Sequence, residues 1–465
     1  MAINCSDFLF LQKYADFFVF DKRSAYLYPI DHLHYEIGLK LQDAFRKKNI
    51  VLNVNSLVQQ WPDYEEAIIL EHYDFIYKLL SENDQPAASI STISQQDIKQ
   101  SLAIVPQILI EVTERCNFRC DYCYYGEMYD AFSNREERIH DMPEEDCLKC
   151  LRELLSIRDL MYDNKVVVSF YGGEPLLNFR LIRTIVLFCE EEFPEIEFQF
   201  RMTTNGSLLR AHIEFLEKHD FHILVSLDGD EQSNVHRRYK DGSPSFFDVS
   251  ENVASVYREH RKYFEKNIEF ISVLQRESNI VSICKLFSKY NKTPILTNLL
   301  QEGVARDNQV VYPYPGVEQS EMSALFETNQ EVYDLINRTS KSARSVELQD
   351  APSCLPINPD IKGCFLFSNK IYLAVDRQIY LCEKASRKFP FGSFSQGHLK
   401  FYIEDINHYY EEFDNVVKKK CVGCSMHYLC KRCFFEDPSL RKSTIKCRMT
   451  DKDMEKALNY TLSHE

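Results

Sequence analysis

Eleven of this chain's sixteen cysteines fall in two clusters, and their spacing constrains the fold more than any other feature. The first cluster is Cys116-x3-Cys120-x2-Cys123. The second runs Cys354-x9-Cys364-x17-Cys382, then Cys421-x2-Cys424-x5-Cys430-x2-Cys433-x13-Cys447. The N-terminal stretch MAINCSDFLFLQKYADFF has neither a basic leading region nor a small-residue cleavage site. No segment approaches the ~18 uninterrupted apolar residues of a membrane span. A cytoplasmic protein with no membrane partner is therefore expected. Disulfides seldom persist in that compartment, so clustered cysteines point to metal binding or to chemistry. Cys5, Cys147, Cys150, Cys189 and Cys284 stand apart from the clusters and read as small buried hydrophobes.

The net charge of −15 argues against nucleic acid as a partner, since phosphates select basic patches. At ~100–200 residues per domain, 465 residues imply about three domains. In residues 1–82, Phe17–Phe20 and Ala25–Tyr28 flank the polar turn Asp21–Ser24, the pattern of a hairpin. Asp31 can cap a helix carrying Leu33, Ile37 and Leu41 at helical spacing, and Pro62 and Asp63 open another running to Leu80. A hairpin with short helices resembles a small winged-helix module. The polar stretch 83–105, including QPAASISTISQQD, reads as a linker.

From 106 to 315 apolar runs alternate with helical ones. The strand candidates are Ile108–Val112, Val166–Tyr171, Phe198–Met202, Ile223–Leu227, Ile268–Leu274 and Ile295–Leu299, with helical patterns at 143–161, 178–192 and 208–219. This alternation predicts an α/β fold with a parallel sheet, open or curled into a barrel. Chemistry in such folds sits in the loops after the C-terminal ends of strands. Residues 316–353 bridge to a Cys-rich unit, 354–465, with little periodicity.

The first three cysteines follow the first strand candidate directly. Three thiolates can hold three irons of a [4Fe–4S] cluster and leave the fourth open. A structural zinc site would want four ligands, and no fourth cysteine lies nearby. The next strand candidates lead into Gly172-Gly173-Glu174-Pro175, then Thr203-Thr204-Asn205-Gly206, then Ser226-Leu227-Asp228-Gly229. Each tetrapeptide alone is an ordinary turn. Four loops in strand order, on one face, are not. Glycines let backbone approach a ligand, and Ser226 and Asp228 suit ribose hydroxyls.

Cys116-x3-Cys120-x-Tyr122-Cys123 resembles the signature of radical S-adenosylmethionine (SAM) enzymes, in which an aromatic residue precedes the last cysteine. The resemblance implies a partial (β/α)6 barrel in which SAM chelates the open iron. It places the SAM amino group at the loop Gly172, Gly173, Glu174 and Pro175, and Tyr122 near adenine. Asn205, Ser226 and Asp228 become further cofactor contacts, Ser226 foremost for ribose. Arg238 has the offset of an arginine that pairs with the SAM carboxylate, with Arg237 as rival. An electron donor such as flavodoxin or ferredoxin would reduce the cluster.

The second cluster is too dense for a zinc ribbon, which separates its Cys pairs by a long gap. It resembles a SPASM domain, which holds two auxiliary [4Fe–4S] clusters and brings the total to three. Carried over by position, Cys354, Cys364, Cys382 and Cys433 would ligate one, and Cys421, Cys424, Cys430 and Cys447 the other. Arg377 stands where the family has a glycine, and the last spacing within the run is x2 in place of x3. Glu383 falls where some relatives carry an acidic base. SPASM relatives mostly modify peptides and proteins, and the N-terminal unit resembles the leader-recognition module of sactipeptide and ranthipeptide maturases. That module captures a leader as an added strand, here along Phe17–Tyr28. The resemblance thus implies a maturase of a ribosomally synthesised precursor peptide that forms thioether crosslinks. Carbon–carbon crosslinking, formylglycine-type oxidation of a protein Cys or Ser, and a non-catalytic iron–sulfur or zinc protein stand as alternatives.

Overall fold

The computed structural model describes residues 8–13, 16–21, 26–46, 58–81, 92–123, 125, 139–274, 280–298, 365–395, 397–416 and 435. The N-terminal unit is an antiparallel sheet of β1 (Phe8–Lys13), β2 (Asp16–Asp21) and β3 (Tyr26–Ile30) backed by α1 (His32–Arg46) and α2 (Glu66–Ser81). Asp31 caps α1 by accepting from the His34 amide at 2.8 Å. Leu33, Ile37 and Leu41 of α1 pack on Phe8, Phe10 and Val19 of the sheet and on Ile69 and Ile76 of α2. Gly38 makes that packing close: a Cβ there would lie 2.2 Å from the Phe10 ring. The expected hairpin is β2–β3, and β1 adds an unforeseen strand. It also narrows the docking edge expected along Phe17–Tyr28 to its β3 part, because β2 is paired on both sides. The outer sides of β1 and β3 are the edges of this sheet among the described residues.

The linker expected over 83–105 holds α3 (Gln95–Ala103) in its second half. Ser94 and Asp97 form a capping box, and Ile98 and Leu102 are buried in the main core. Asn407 further ties this segment down by bonding both Ile93 N, at 2.7 Å, and Ile93 O, at 2.9 Å.

The main sheet contains the six expected parallel strands in sequence order: β4 (Gln107–Thr113), β5 (Lys165–Gly172), β6 (Glu197–Thr204), β7 (His222–Ser226), β8 (Ile268–Leu274) and β9 (Ile295–Asn298). The helices between them are α4 (Glu144–Ser156), α5 (Phe179–Glu192), α6 (Leu209–Lys218), α7 (Phe246–Glu259), α8 (Arg261–Asn267) and α9 (Ile280–Ser288). Parallel strands covered on both faces are apolar almost throughout. In β4 every residue after Gln107 is buried. Cys147, Cys150 and Cys189 are core residues of α4 and α5, and Cys284 is buried in α9. Cys5 lies outside the described residues.

The sheet does not close between β4 and β9. Instead β10 (Ile371–Leu373) pairs parallel to β4, and β11 (Gln378–Tyr380), β12 (Gly392–Ser395) and β13 (His398–Phe401) continue antiparallel before α10 (Ile403–Val416). The C-terminal unit was expected to be aperiodic. Its described part is instead an extension of the main sheet, which covers an edge β4 would otherwise expose. Among the described residues no helix is long and apolar enough to cross a membrane.

Arg377, standing where the SPASM pattern has a glycine, turns β10 into β11 with φ at +62°. An ion pair to Asp146 of α4, at 2.6 Å, holds the side chain. Left-handed backbone costs a non-glycine residue about 1–2 kcal/mol, whereas an exposed pair returns about 1 kcal/mol or less. Arg377→Ala should therefore be less stable than Arg377→Gly, by about 1 kcal/mol in urea midpoints compared at equal slope. An alanine variant as stable as the glycine variant would contradict this account of the turn.

Candidate active site

The loops at the C-terminal ends of β4 to β7 converge, and the thiol loop is held among them by backbone. Arg119 N donates to Arg238 O at 2.8 Å, Asp121 N to His236 O at 3.1 Å, and Lys240 N to Asn117 O at 3.1 Å. The Phe118 ring, itself buried, meets Tyr239 edge-on at 4.8 Å. Residues 116–123 are thus zipped to 236–240, a pairing that nothing in the sequence announced.

Cys116 lies within electrostatic reach of Cys120 and Cys123. Burial, with Glu174 adding, pushes the Cys116 thiol up to about 12. Only a cation at sulfur would keep it ionised near neutral pH. Two donors already face that sulfur: the Phe118 amide at 3.4 Å and Asn205 Nδ2 at 4.0 Å. Such donors stabilise a cluster-ligating thiolate.

The glycines after β5 have a structural reason that sequence could not separate from ligand access. Gly172 has φ +143°, and a Cβ there would sit 2.0 Å from Thr113 O. A Cβ on Gly173 would sit 2.3 Å from Arg115 O. The loop therefore passes directly against the backbone that leads into the cysteines. Glu174 is fully buried. It accepts from Asn205 N and Thr204 Oγ1, each at 2.7 Å, and from Leu176 N at 3.1 Å. Its side chain is spent on joining the β5 and β6 exits, and Pro175 begins the short helical turn behind it. Burial, opposed by those three donors, raises its carboxyl to about 7. Asn205 is buried too. Its Nδ2 donates to Asn117 at 2.9 Å and its Oδ1 accepts from Ser207 N at 3.0 Å.

Asp228 is likewise fully enclosed. Its Oδ2 accepts from the Tyr122 hydroxyl; its Oδ1 accepts from Val273 N at 3.0 Å and pairs with Arg237 Nε at 3.1 Å. Burial alone would lower the Arg237 pKa, but Asp228 and Tyr122 outweigh it and hold the guanidinium above its ordinary value. The guanidinium also lies 5.4 Å over the Tyr122 ring. Arg238 is more exposed. It donates to Val235 O at 2.8 Å and reaches Asp121 at 3.6 Å. Ser226 differs from all of these: it ends β7 half-buried, and its hydroxyl has no hydrogen-bond partner among the described residues.

Of the second cysteine cluster, Cys382 lies within the described residues; Cys354, Cys364, Cys421, Cys424, Cys430, Cys433 and Cys447 lie outside them. Glu383 pairs with Lys370 at 3.1 Å and acts electrostatically on Tyr171 at the end of β5. Tyr125 packs on both Cys123 and Tyr171, and its hydroxyl lies 3.4 Å from that of Tyr372 in β10. Glu111 was missed. Buried in β4, it accepts from Val375 N and from Arg387, each at 3.0 Å. A lone carboxylate inside the apolar run ILIEVT was the available signal.

Asp228→Asn strips a buried arginine of its counter-charge and should cost about 3–5 kcal/mol of stability. Ser226→Ala breaks no internal bond and should cost under about 1 kcal/mol. Equal urea midpoints for the two variants would refute the distinction. Glu174 adds a pH signature. Its folded value, about 7, exceeds the ordinary 4.5, so its contribution to stability is complete below 4.5 and is lost as pH rises through 7. The parent should therefore lose stability relative to Glu174→Gln between about pH 5 and 7, and a difference flat across that window would contradict it.

Residues 110–276 match the Radical SAM superfamily. An uncharacterized protein of Methanocaldococcus jannaschii is 34% identical over 143 residues, 30% of this chain and 45% of that protein. The radical SAM cyclopropyl synthase TigE of Paramaledivibacter caminithermalis is 26% identical over 179 residues, 37% of this chain and 36% of TigE. The chain therefore spans less than half the length of these curated relatives. Among solved structures, native anSMEcpe with bound AdoMet and Cp18Cys peptide superposes with a TM-score of 0.51 at 17% identity, covering 77% of this chain and 99% of that one. At that identity the likeness is one of fold. This chain carries a radical SAM superfamily domain, built on β4 to β8 and containing the thiol loop.

Proposed function

We propose that this chain is a radical SAM maturase that closes thioether crosslinks in a ribosomally synthesised precursor peptide. The observation that carries the reading is the convergence of the thiol loop with the β5, β6 and β7 exits, where Glu174 and Asp228 bond inward and Ser226 keeps a hydroxyl to offer. A [4Fe–4S] cluster and SAM, when bound, supply one-electron cleavage of the sulfonium and removal of a substrate hydrogen. Cys116, Cys120 and Cys123 would hold the cluster, the Gly172–Gly173 backbone and Ser226 would orient SAM, and Arg238 would face its carboxylate. The buried ties of Glu174 and Asp228 fix these loops before any ligand arrives. The cysteines of the second cluster would hold two auxiliary clusters and so accept the surplus electron of a two-electron oxidation. Cys382 and Glu383 follow β11, on the side of the sheet that β10 and β11 join to β4, and Glu383 lies within electrostatic reach of Tyr171.

A peptide substrate draws support from the structure of anSMEcpe, a protein with this fold, with bound Cp18Cys peptide. It also draws on the open edge of β3, where a leader could add a strand. The similarity to a cyclopropyl synthase favours a second reading, carbon–carbon crosslinking. Both remove two hydrogens per bond, but only a thioether consumes a thiol.

Precursor peptide, reduced enzyme and SAM are combined anaerobically, and the product is then alkylated. The expected product is lighter by two hydrogens per crosslink and takes up one fewer alkyl group for each. The same mass loss with full alkylation would select the carbon–carbon reading. Unchanged peptide alongside 5′-deoxyadenosine release would overturn both. Cys116→Ala should release none.

A further inference from the structure

Far along the chain from the thiol loop, the N-terminal unit brings together three metal-ligating side chains that sequence spacing did not reveal. Asp31 caps α1, His34 lies in its first turn, and His72 reaches across from α2. Asp31 Oδ2 lies 3.0 Å from His34 Nδ1 and 2.9 Å from His72 Nε2. The two imidazoles stack with centroids 3.9 Å apart, and Phe75 closes against His34 edge-on at 4.9 Å. The ligand atoms of all three residues lie within 4.8 Å of one another.

Proton bookkeeping points to a cation. The other nitrogen of His72, Nδ1, lies 2.8 Å from Ile68 O. A carbonyl only accepts, so Nδ1 carries the hydrogen. In the neutral ring Nε2 then presents a bare lone pair to a carboxylate oxygen 2.9 Å away, which is repulsive unless a positive charge lies between them. A ligating histidine is commonly fixed in this way, with its second N–H given to a backbone carbonyl. Asp31 Oδ1 is already occupied by the His34 amide, so Oδ2 alone faces the rings. Two imidazoles and one carboxylate suit zinc-class divalent ions, with remaining positions left to water.

We propose that Asp31, His34 and His72 form a divalent transition-metal site that pins the first turn of α1 to α2. It is independent of the iron–sulfur reading, because none of its ligands is a cysteine. The probe is zinc alone, titrated into the full chain after its clusters are assembled, against a chromophoric chelator. Parent protein should bind one tight equivalent more than either His72→Ala or Asp31→Asn. The second variant guards against misfolding, since asparagine caps a helix as well as aspartate does. X-ray absorption of the zinc that distinguishes the parent should show only nitrogen and oxygen neighbours at about 2.0–2.1 Å. Equal stoichiometry in parent and Asp31→Asn would mean that the triad holds only a proton, and sulfur at about 2.3 Å would place the zinc on cysteines. Either result overturns the proposal.

Discussion

Three carboxylates buried at or beyond the ends of parallel strands hold the candidate site together. Glu111 on β4 takes Val375 N and Arg387 from the C-terminal extension. Glu174 after β5 takes the exit of β6. Asp228 after β7 takes Tyr122 from the thiol loop, Val273 from β8 and Arg237 from its own loop. Loops at strand ends lack the apolar interdigitation that fixes a core, so they need directional bonds to keep one geometry. A buried carboxylate supplies several at once, and it accepts only where its partners are in place. The desolvation it costs is large enough that a loop in the wrong position would leave a charge or a donor unsatisfied.

The same logic explains which parts of the site could be read from sequence. The six strands and the helices between them follow from alternating apolar runs, and packing on both faces leaves that signal strong. The thiol triple and the tetrapeptides after successive strands could be placed in order. Their roles could not be separated, because a glycine that admits a ligand and one that admits a neighbouring backbone look identical. Gly172 and Gly173 lie against Thr113 and Arg115. Glu174 and Asp228 were read as ligand-facing, whereas their oxygens face inward. α3 hid in a polar stretch, although Ser94 with Asp97 three residues on is a helix-start signal that composition overrode. β1 was passed over because FLFLQK shows apolar bulk without alternation.

The C-terminal unit illustrates a different limit. Cysteine spacing says nothing about how a metal-rich segment attaches to its host. Here the attachment is a strand: β10 lies parallel to β4, and Tyr372 and Arg387 meet Glu111 and Tyr125 beneath it. Arg387 stacks over both Tyr372 and Tyr380, at 5.1 and 4.7 Å, so its charge is shared between a carboxylate and two ring faces. Cys382 follows β11 by two residues, and Cys123 touches Tyr125 on the far side of this group. The aromatic group therefore runs from Cys123 of the thiol loop to the end of β11 that leads into Cys382.

That placement bears on how a site of this kind can admit a ligand without losing order. A flexible mouth would let water reach a reactive centre, whereas a rigid one must be assembled before substrate arrives. The buried ties put the rigidity behind the ligands rather than among them. Glu174, Asp228 and Glu111 all bond inward, whereas the Ser226 hydroxyl has no hydrogen-bond partner among the described residues. A hydroxyl can donate or accept as a ligand requires and leaves no uncompensated charge when the site is empty. A charged group that could bind a ligand, Arg238, is instead held by an exposed partner, Asp121, that can release it at small cost. Strong bonds fix the frame, and weaker ones hold the groups free to meet a ligand.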